Sequence, residues 1–245
     1  MGNNLPLQTA DRDFSAQALK ALAIVAMTLD HVGLAFALVL PLSVRALVIA
    51  PGGLTFPVMA FLIGEGYRHT HSIRRYLLRL LVCALLAQPA FQALFGPRLN
   101  ILFTLALGLL LLYLNERLST RRWLFWLGFA AAVALSYFCD WGVISLPMIY
   151  LYDQLRRSPG RAWIPLLLPL LYFIITPGLL YGLAVLCSPE NLPQLLYALI
   201  GCTGSGLCLT RYRGRRGRGP GRWFFYLYYP AHLSLIWLLK TLLKV

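Results

Sequence analysis

Acidic residues are scarce in this chain: eight Asp and Glu stand against 22 Lys and Arg, and charged residues make up only 12% of 245. Few soluble domains carry so little charge. Several chemical signatures are missing as well. No C-x-x-C pair is present, which removes the usual zinc frameworks. The five cysteines, Cys83, Cys139, Cys187, Cys202 and Cys208, are scattered through or beside apolar segments and read as small buried hydrophobes, not a disulfide set. A serine-nucleophile motif, a zinc motif and a phosphate-cradling glycine loop are lacking too. Alternating ten-residue segments, the mark of an outer-membrane barrel, do not occur.

What is present is apolar length. Hydrophobic residues reach 59% and mean hydropathy is +0.70, and long apolar runs recur along the chain. The fold class implied is all-α, a polytopic integral membrane helix bundle forming one domain over 1–245. The net charge of +14 does not point to nucleic acid, because the arginines fall in short loops between apolar runs, where the positive-inside rule puts them.

One run organises the rest. From Lys20 to Leu40 it is long enough for a membrane-spanning helix, which needs about 20 residues, and too long for a signal peptide. Yet it carries Asp30 and His31 near its middle. An ionised Asp at a helix centre costs roughly 2.5–3.5 kcal/mol on insertion scales. Ala23, Ala26, Asp30, Gly33 and Ala37 recur at three- and four-residue steps, so the acid shares a face of small residues that admits close neighbours. Asp30 is therefore expected to point into the bundle. A buried intramembrane acid and histidine are functional candidates by default.

In order, a polar tail (1–15) is followed by helices expected at about 16–40, 54–67, 76–95, 100–114, 123–139, 143–155, 162–187, 192–209 and 223–243. The segment 41–53 reads as a loop with a partial helix, and the seventh helix is interrupted by Pro165, Pro169 and Pro177. The loops after the second, fourth, sixth and eighth helices are basic; the strongest, 211–222, reads as charge drawn to anionic lipid. This alternation implies nine spans with a cytoplasmic N-terminus. Lys240 and Lys244 then end on the far side, a mild conflict. Asn100 and Asp140 lie at the outer ends of their helices, Asp30 and His31 at mid-depth, and Glu65, Arg68 and His69 at the cytoplasmic edge. His232 lies nine residues into the last helix, about 13 Å deep.

The same residues carry a resemblance. Lys20, Met27, Asp30-His31 and Gly33 are followed by Phe56-Pro57, Glu65-Gly66-Tyr67 and His69-Thr70, then Tyr76 and Arg79-Leu80. Leu99-Asn100, Phe103-Thr104-Leu105, Asp140, Gly142, Phe225-Tyr226, Tyr228-Tyr229-Pro230 and His232-Leu233 continue in order to the last helix. In these motifs the chain resembles the TraX family, named for a conjugal-transfer protein implicated in N-terminal acetylation of pilin. The family is similar to the wider group of integral-membrane acyltransferases. The resemblance implies a bacterial inner-membrane enzyme that takes an acetyl group from cytoplasmic acetyl-CoA and places it on an acceptor amine or hydroxyl, either a pilin N-terminus or an envelope glycan. Many relatives carry an Arg just before the Phe-Pro element, where this chain has Gly53.

Acyl transfer needs a group to remove the acceptor proton, and a neutral imidazole suits this near neutral pH. His31 is the candidate base, or alternatively the acyl-carrying nucleophile. Asp30, the next residue on the helix, is about 100° away and is poorly placed to hold the His31 ring, so an orienter from another helix is expected: Asp140, Asn100 or His232. Asp30 has His232 as an alternative partner. Asp140 and Asn100 also suit helix caps, Asn100 above all. For the donor, Arg79, Arg68, His69 and Tyr229 are the candidates, since arginines suit phosphate. Arg74 and Arg75 read equally well as loop charge, and Glu65, three residues before Arg68, as its partner along the helix. A proton-coupled transporter, which also uses mid-depth Asp and His, and a non-enzymatic assembly subunit are the other function classes compatible with the pattern.

Overall fold

The computed structural model describes residues 14–156, 158–212 and 214–244, with the side chains at 159, 183 and 222 left out. Most of the polar tail, 1–13, therefore lies outside the described residues. Among the described residues no strand occurs; two isolated bridges join Phe14 to Tyr212 and Leu99 to Cys139.

Helix α1 (Ala16–Ala35) starts where the Ser15 hydroxyl accepts from the N–H of Ala18 at 3.2 Å. It ends at Ala35, not Leu40: residues 36–40 are turn, and Pro41 opens the next helix. Segment 41–53 is more ordered than a loop. α2 (Leu42–Ile49) passes through a 3-10 turn, Ala50–Leu54, directly into α3 (Thr55–His69). The expected short second helix is thus the latter part of an apolar 28-residue stretch, Leu42–His69. Pro51 and the Gly pair after it tighten the winding but do not stop it.

α4 (Ile73–Phe95) is capped by Ser72, contains Pro89 and stops at Gly96, whose φ of 90° is open to glycine alone at little cost. α5 (Ile101–Arg117), α6 (Arg122–Ser136) and α7 (Ser145–Leu155) follow. The expected long seventh helix is instead a broken run: a 3-10 piece Pro159–Leu166, α8 (Leu167–Leu170), a π turn Leu171–Ile175, α9 (Thr176–Tyr181) and α10 (Leu183–Leu186). Pro165, Pro169 and Pro177 lack the N–H that would keep an α ladder regular. α11 (Leu192–Thr210) and α12 (Arg222–Leu243) complete the bundle.

By length and composition, five stretches among the described residues are apolar enough to cross a membrane: Ala16–Ala35, Leu42–His69, Ile73–Phe95, Gly160–Tyr181 and Pro189–Thr210. Large apolar side chains such as Leu38, Leu179 and Leu180 remain exposed, as lipid-facing residues do. The core is built on α3, whose Phe56, Val58 and Ala60 are fully enclosed, together with Leu105 and Leu109 of α5, Leu146 and Met148 of α7, and Leu233 of α12. Of the cysteines, Cys187 is exposed and the other four are buried.

Glycine sets two close approaches. A Cβ on Gly53 would strike the Tyr197 carbonyl, and one on Gly201 would strike the Gly53 backbone, so the 3-10 turn and α11 touch main chain to main chain. On α1, Ala23, Ala26 and Gly33 are buried as the small face requires, and Gly52 packs directly on Asp30. Basic segments gather at one end of the bundle. There the 211–222 loop folds back onto α1: the N–H groups of Ala16 and Gln17 donate to the carbonyls of Arg215 and Arg216 at 2.9 and 3.1 Å, filling acceptor positions that the first turn of a helix lacks.

Candidate active site

α1 and α12 cross so that His31 and His232, 201 positions apart, meet in the interior. His31 Nδ1 lies 2.8 Å from His232 Nε2, and the rings are parallel, 5° between planes. Both residues are buried. The protons follow from the network. His232 Nδ1 sits 2.9 Å from the Tyr228 carbonyl, which only accepts, so Nδ1 carries the hydrogen. The Nε2 of neutral His232 is then an acceptor, and His31 Nδ1–H must donate to it. The lone pair of neutral His31 is left on Nε2. Thr28 and Tyr228 brace the pair: their hydroxyls are 2.8 Å apart, Thr28 also donates to the Ile24 carbonyl, and Tyr228 stacks on His232. Of the three residues expected beside His31, His232 is the one whose ring meets it, and Asp30 does not pair with His232.

Asp30 turns to a second polar cluster. Its Oδ1 is buried with no hydrogen-bond partner, and it lies within electrostatic range of Asp140 and Tyr197. Asp140 sits in the tight connection before α7, where its Oδ1 accepts from the N–H of Trp141 at 3.0 Å and its carbonyl accepts from the Thr104 hydroxyl at 2.9 Å. Trp141 adopts φ 64°, uncommon for a bulky residue. Its ring stacks on Phe56 at 4.7 Å and meets Phe173 and Tyr197 at 5.6 and 6.0 Å. Two carboxyls and an aromatic wall therefore lie within electrostatic range of one another, with Asp30 immediately before His31 on α1.

Asp140 has a measurable consequence. Burial pushes its carboxyl up to about 6, against a weaker downward pull from the Trp141 N–H and the Arg98 guanidinium. The folded state then holds a proton that the unfolded state has lost between about pH 4 and 6, so stability falls as pH rises through that window. Thermal melts from pH 4 to 7 should show this decline, and Asp140→Asn should flatten it.

A cavity of about 650 Å³ opens at the basic end. Lys20, Arg75, Arg79, Arg216 and His69 line its mouth, while Ala23, Phe56, Ile101, Leu102 and Tyr229 line its inner part. The Arg79 guanidinium lies 5.7 Å from the Tyr76 and Tyr226 rings, and its Nε is buried without a hydrogen bond. Tyr229 forms the wall between cavity and dyad, its ring edge-on to His31 at 6.2 Å and to His232 at 5.4 Å.

Arg68 turns elsewhere. It pairs with Asp153 of α7, which Arg156 also approaches at 3.7 Å, and it does not line the cavity. Glu65 is not its partner along the helix; it accepts from Tyr212 at 3.1 Å and lies 4.0 Å from His69. Asn100 is fully buried and fully engaged. Its Oδ1 caps the N–H of Leu102 at 3.1 Å and its Nδ2 donates to the Ala84 carbonyl and to Gln88 Oε1, both at 2.8 Å.

Thr28, Tyr228, Trp141, Tyr197 and Arg216 are not among the site residues expected from the sequence, although Tyr228 stands in the motif around His232. For two of them a signal existed: Thr28 stands three residues before His31 and Tyr228 four before His232, so each shares a helix face with its histidine.

The family model described as "TraX protein" matches residues 15–240. The chain belongs to the TraX family. Within that family it is 33% identical over 260 residues to "Probable fimbrial assembly protein FimC, serogroup H1" of Dichelobacter nodosus, covering 95% of this chain and 98% of that protein. No solved structure matches this TraX-family chain. The matched range takes in α1 and nearly all of α12, so both halves of the histidine dyad lie within it.

Proposed function

We propose that this TraX-family protein is an inner-membrane acyltransferase that moves an acetyl group from cytoplasmic acetyl-CoA to an acceptor amine or hydroxyl. The observation that carries this reading is the buried dyad, whose hydrogen bonds leave a lone pair on His31 Nε2 and whose rings both meet Tyr229, a lining residue of a cavity with a cationic mouth. With the N-terminus in the cytoplasm, as the basic loops favour under the positive-inside rule, that mouth faces the cytoplasm.

Lys20, Arg75, Arg79, Arg216 and His69 suit the phosphates of the donor, and the unpartnered Nε of Arg79 offers a donor group for one of them. Arg68, tied to Asp153, holds the end of α3 in place behind them. The apolar inner cavity takes the pantetheine arm and delivers the thioester to Tyr229. His31 accepts the acceptor's proton on Nε2, and His232, still receiving the His31 Nδ1–H bond, stabilises the imidazolium that forms. Asp30 and Asp140, with Asn100 fixing the start of α5 beside them, bound the acceptor side from the opposite end. The similarity to a probable fimbrial assembly protein favours the amino terminus of a pilin or fimbrial subunit over an envelope glycan.

The test uses purified protein in detergent. Acetyl-CoA should raise the melting temperature in a saturable way, and Arg79→Ala should weaken that shift. A protein that ignores acetyl-CoA, yet takes up solute driven by a pH gradient once in vesicles, is a transporter and the proposal fails.

A further inference from the structure

The inner wall of the cavity carries a polar group that the dyad leaves idle. Tyr229 is 4% exposed and lines the cavity, but its hydroxyl is buried and makes no hydrogen bond. A buried polar atom left unsatisfied in a folded protein calls for an explanation. The oxygen lies near the backbone N–H of Ile101 without a hydrogen bond to it; Ile101 is the first residue of α5 and also lines the cavity. That N–H precedes the first intrahelical bond, and the Asn100 side chain caps Leu102 instead. α5 is 17 residues long, so its N-terminal turn presents a partial positive charge. The phenolic hydrogen has no acceptor, and the ring stands edge-on to both histidines.

We propose that Tyr229 and the N-terminal turn of α5 form an oxyanion site, where the carbonyl oxygen of the donor thioester sits while the acyl group is transferred. The proposal rests on the acyl-transfer reading above and assigns the one charge that the dyad does not handle. The acceptor's lone pair forms a bond to the thioester carbon, the C=O π pair moves onto oxygen, and the acceptor's proton passes to His31 Nε2. The oxyanion accepts a hydrogen bond from the Tyr229 hydroxyl within the positive field of the α5 N-terminus. The pair then returns, the C–S bond breaks, and the departing thiolate takes the proton from His31. No other reactant is consumed.

Tyr229→Phe tests this in the full-length protein, by thiol release from acetyl-CoA with a peptide bearing a free amino terminus as acceptor. Loss of one oxyanion donor typically costs about 10²–10³-fold in kcat, so that drop is expected, with KM for acetyl-CoA little changed. Carbonyl-labelled acetyl-CoA gives a second reading in wild type: its C=O infrared band should move to lower frequency on binding, and Tyr229→Phe should abolish the shift. An active wild type with an unchanged kcat in Tyr229→Phe, or with no band shift on binding, overturns the oxyanion site and leaves the transfer reading standing. A wild type that releases no thiol overturns both.

Discussion

His31→Ala is expected to lower acetyl transfer by about 10²–10⁴-fold, the usual contribution of a positioned general base, while the protein stays folded and still binds acetyl-CoA. One lone pair decides the effect. With His232 Nδ1–H committed to the Tyr228 carbonyl and His31 Nδ1–H committed to His232, His31 Nε2 is the dyad's basic nitrogen. No other group on α1 replaces it, since Asp30 turns toward Gly52 and Asp140. His232→Ala should cost less than His31→Ala, because it removes the group that fixes the tautomer and leaves the base itself. The comparison is made by thiol release from acetyl-CoA at saturating donor, with a melting curve for each variant. Equal losses in the two variants would indicate that the pair acts as a unit, and undiminished turnover in His31→Ala would remove it from the chemistry.

The second large effect is structural. Gly201→Val and Gly53→Val should each destabilise the bundle by about 3 kcal/mol or more, at or beyond the upper end of overpacking costs. In most cores an added methyl displaces a side chain that can rotate. Here it meets main chain on both sides, the Tyr197 carbonyl and the Gly53 backbone, and neither can move without parting α11 from the turn that leads into α3. That turn also seats Gly52 against Asp30, so the second polar cluster shifts with it. Gly128→Ala on α6 is the control. Its Cβ would meet nothing within 4 Å, and it should be neutral or gain up to about 1 kcal/mol of helix propensity. Melting in detergent should separate the two classes clearly.

How far the sequence carried the account depends on the kind of information each feature needs. The small face on α1 was legible because helical spacing is local: Ala23, Ala26 and Gly33 are buried together. The cap at Asn100 was legible for the same reason. The end of α1 at Ala35 and the helical path from Leu42 to His69 were missed because apolar content continues through Pro41 and Gly52-Gly53, and composition does not distinguish a tightened 3-10 turn from a break. The broken run 159–186 has prolines whose effect on winding depends on neighbours along α11. The partner of His31 needed tertiary structure: Asp140, Asn100 and His232 were all open from the sequence, and only the crossing of α1 with α12 selects His232. Arg68 shows the opposite limit. Its nearest acid in sequence is Glu65, but the ion pair forms with Asp153, 85 positions away.

The most direct measurement is acetyl transfer by purified wild type, His31→Ala and His232→Ala, using acetyl-CoA labelled in the acetyl group and a peptide with a free amino terminus. The account predicts acetylated peptide from wild type, a large loss in His31→Ala and an intermediate one in His232→Ala, with acetyl-CoA binding retained in all three. Equal transfer by wild type and His31→Ala, or no transfer and no acetyl-CoA binding by wild type, would contradict it.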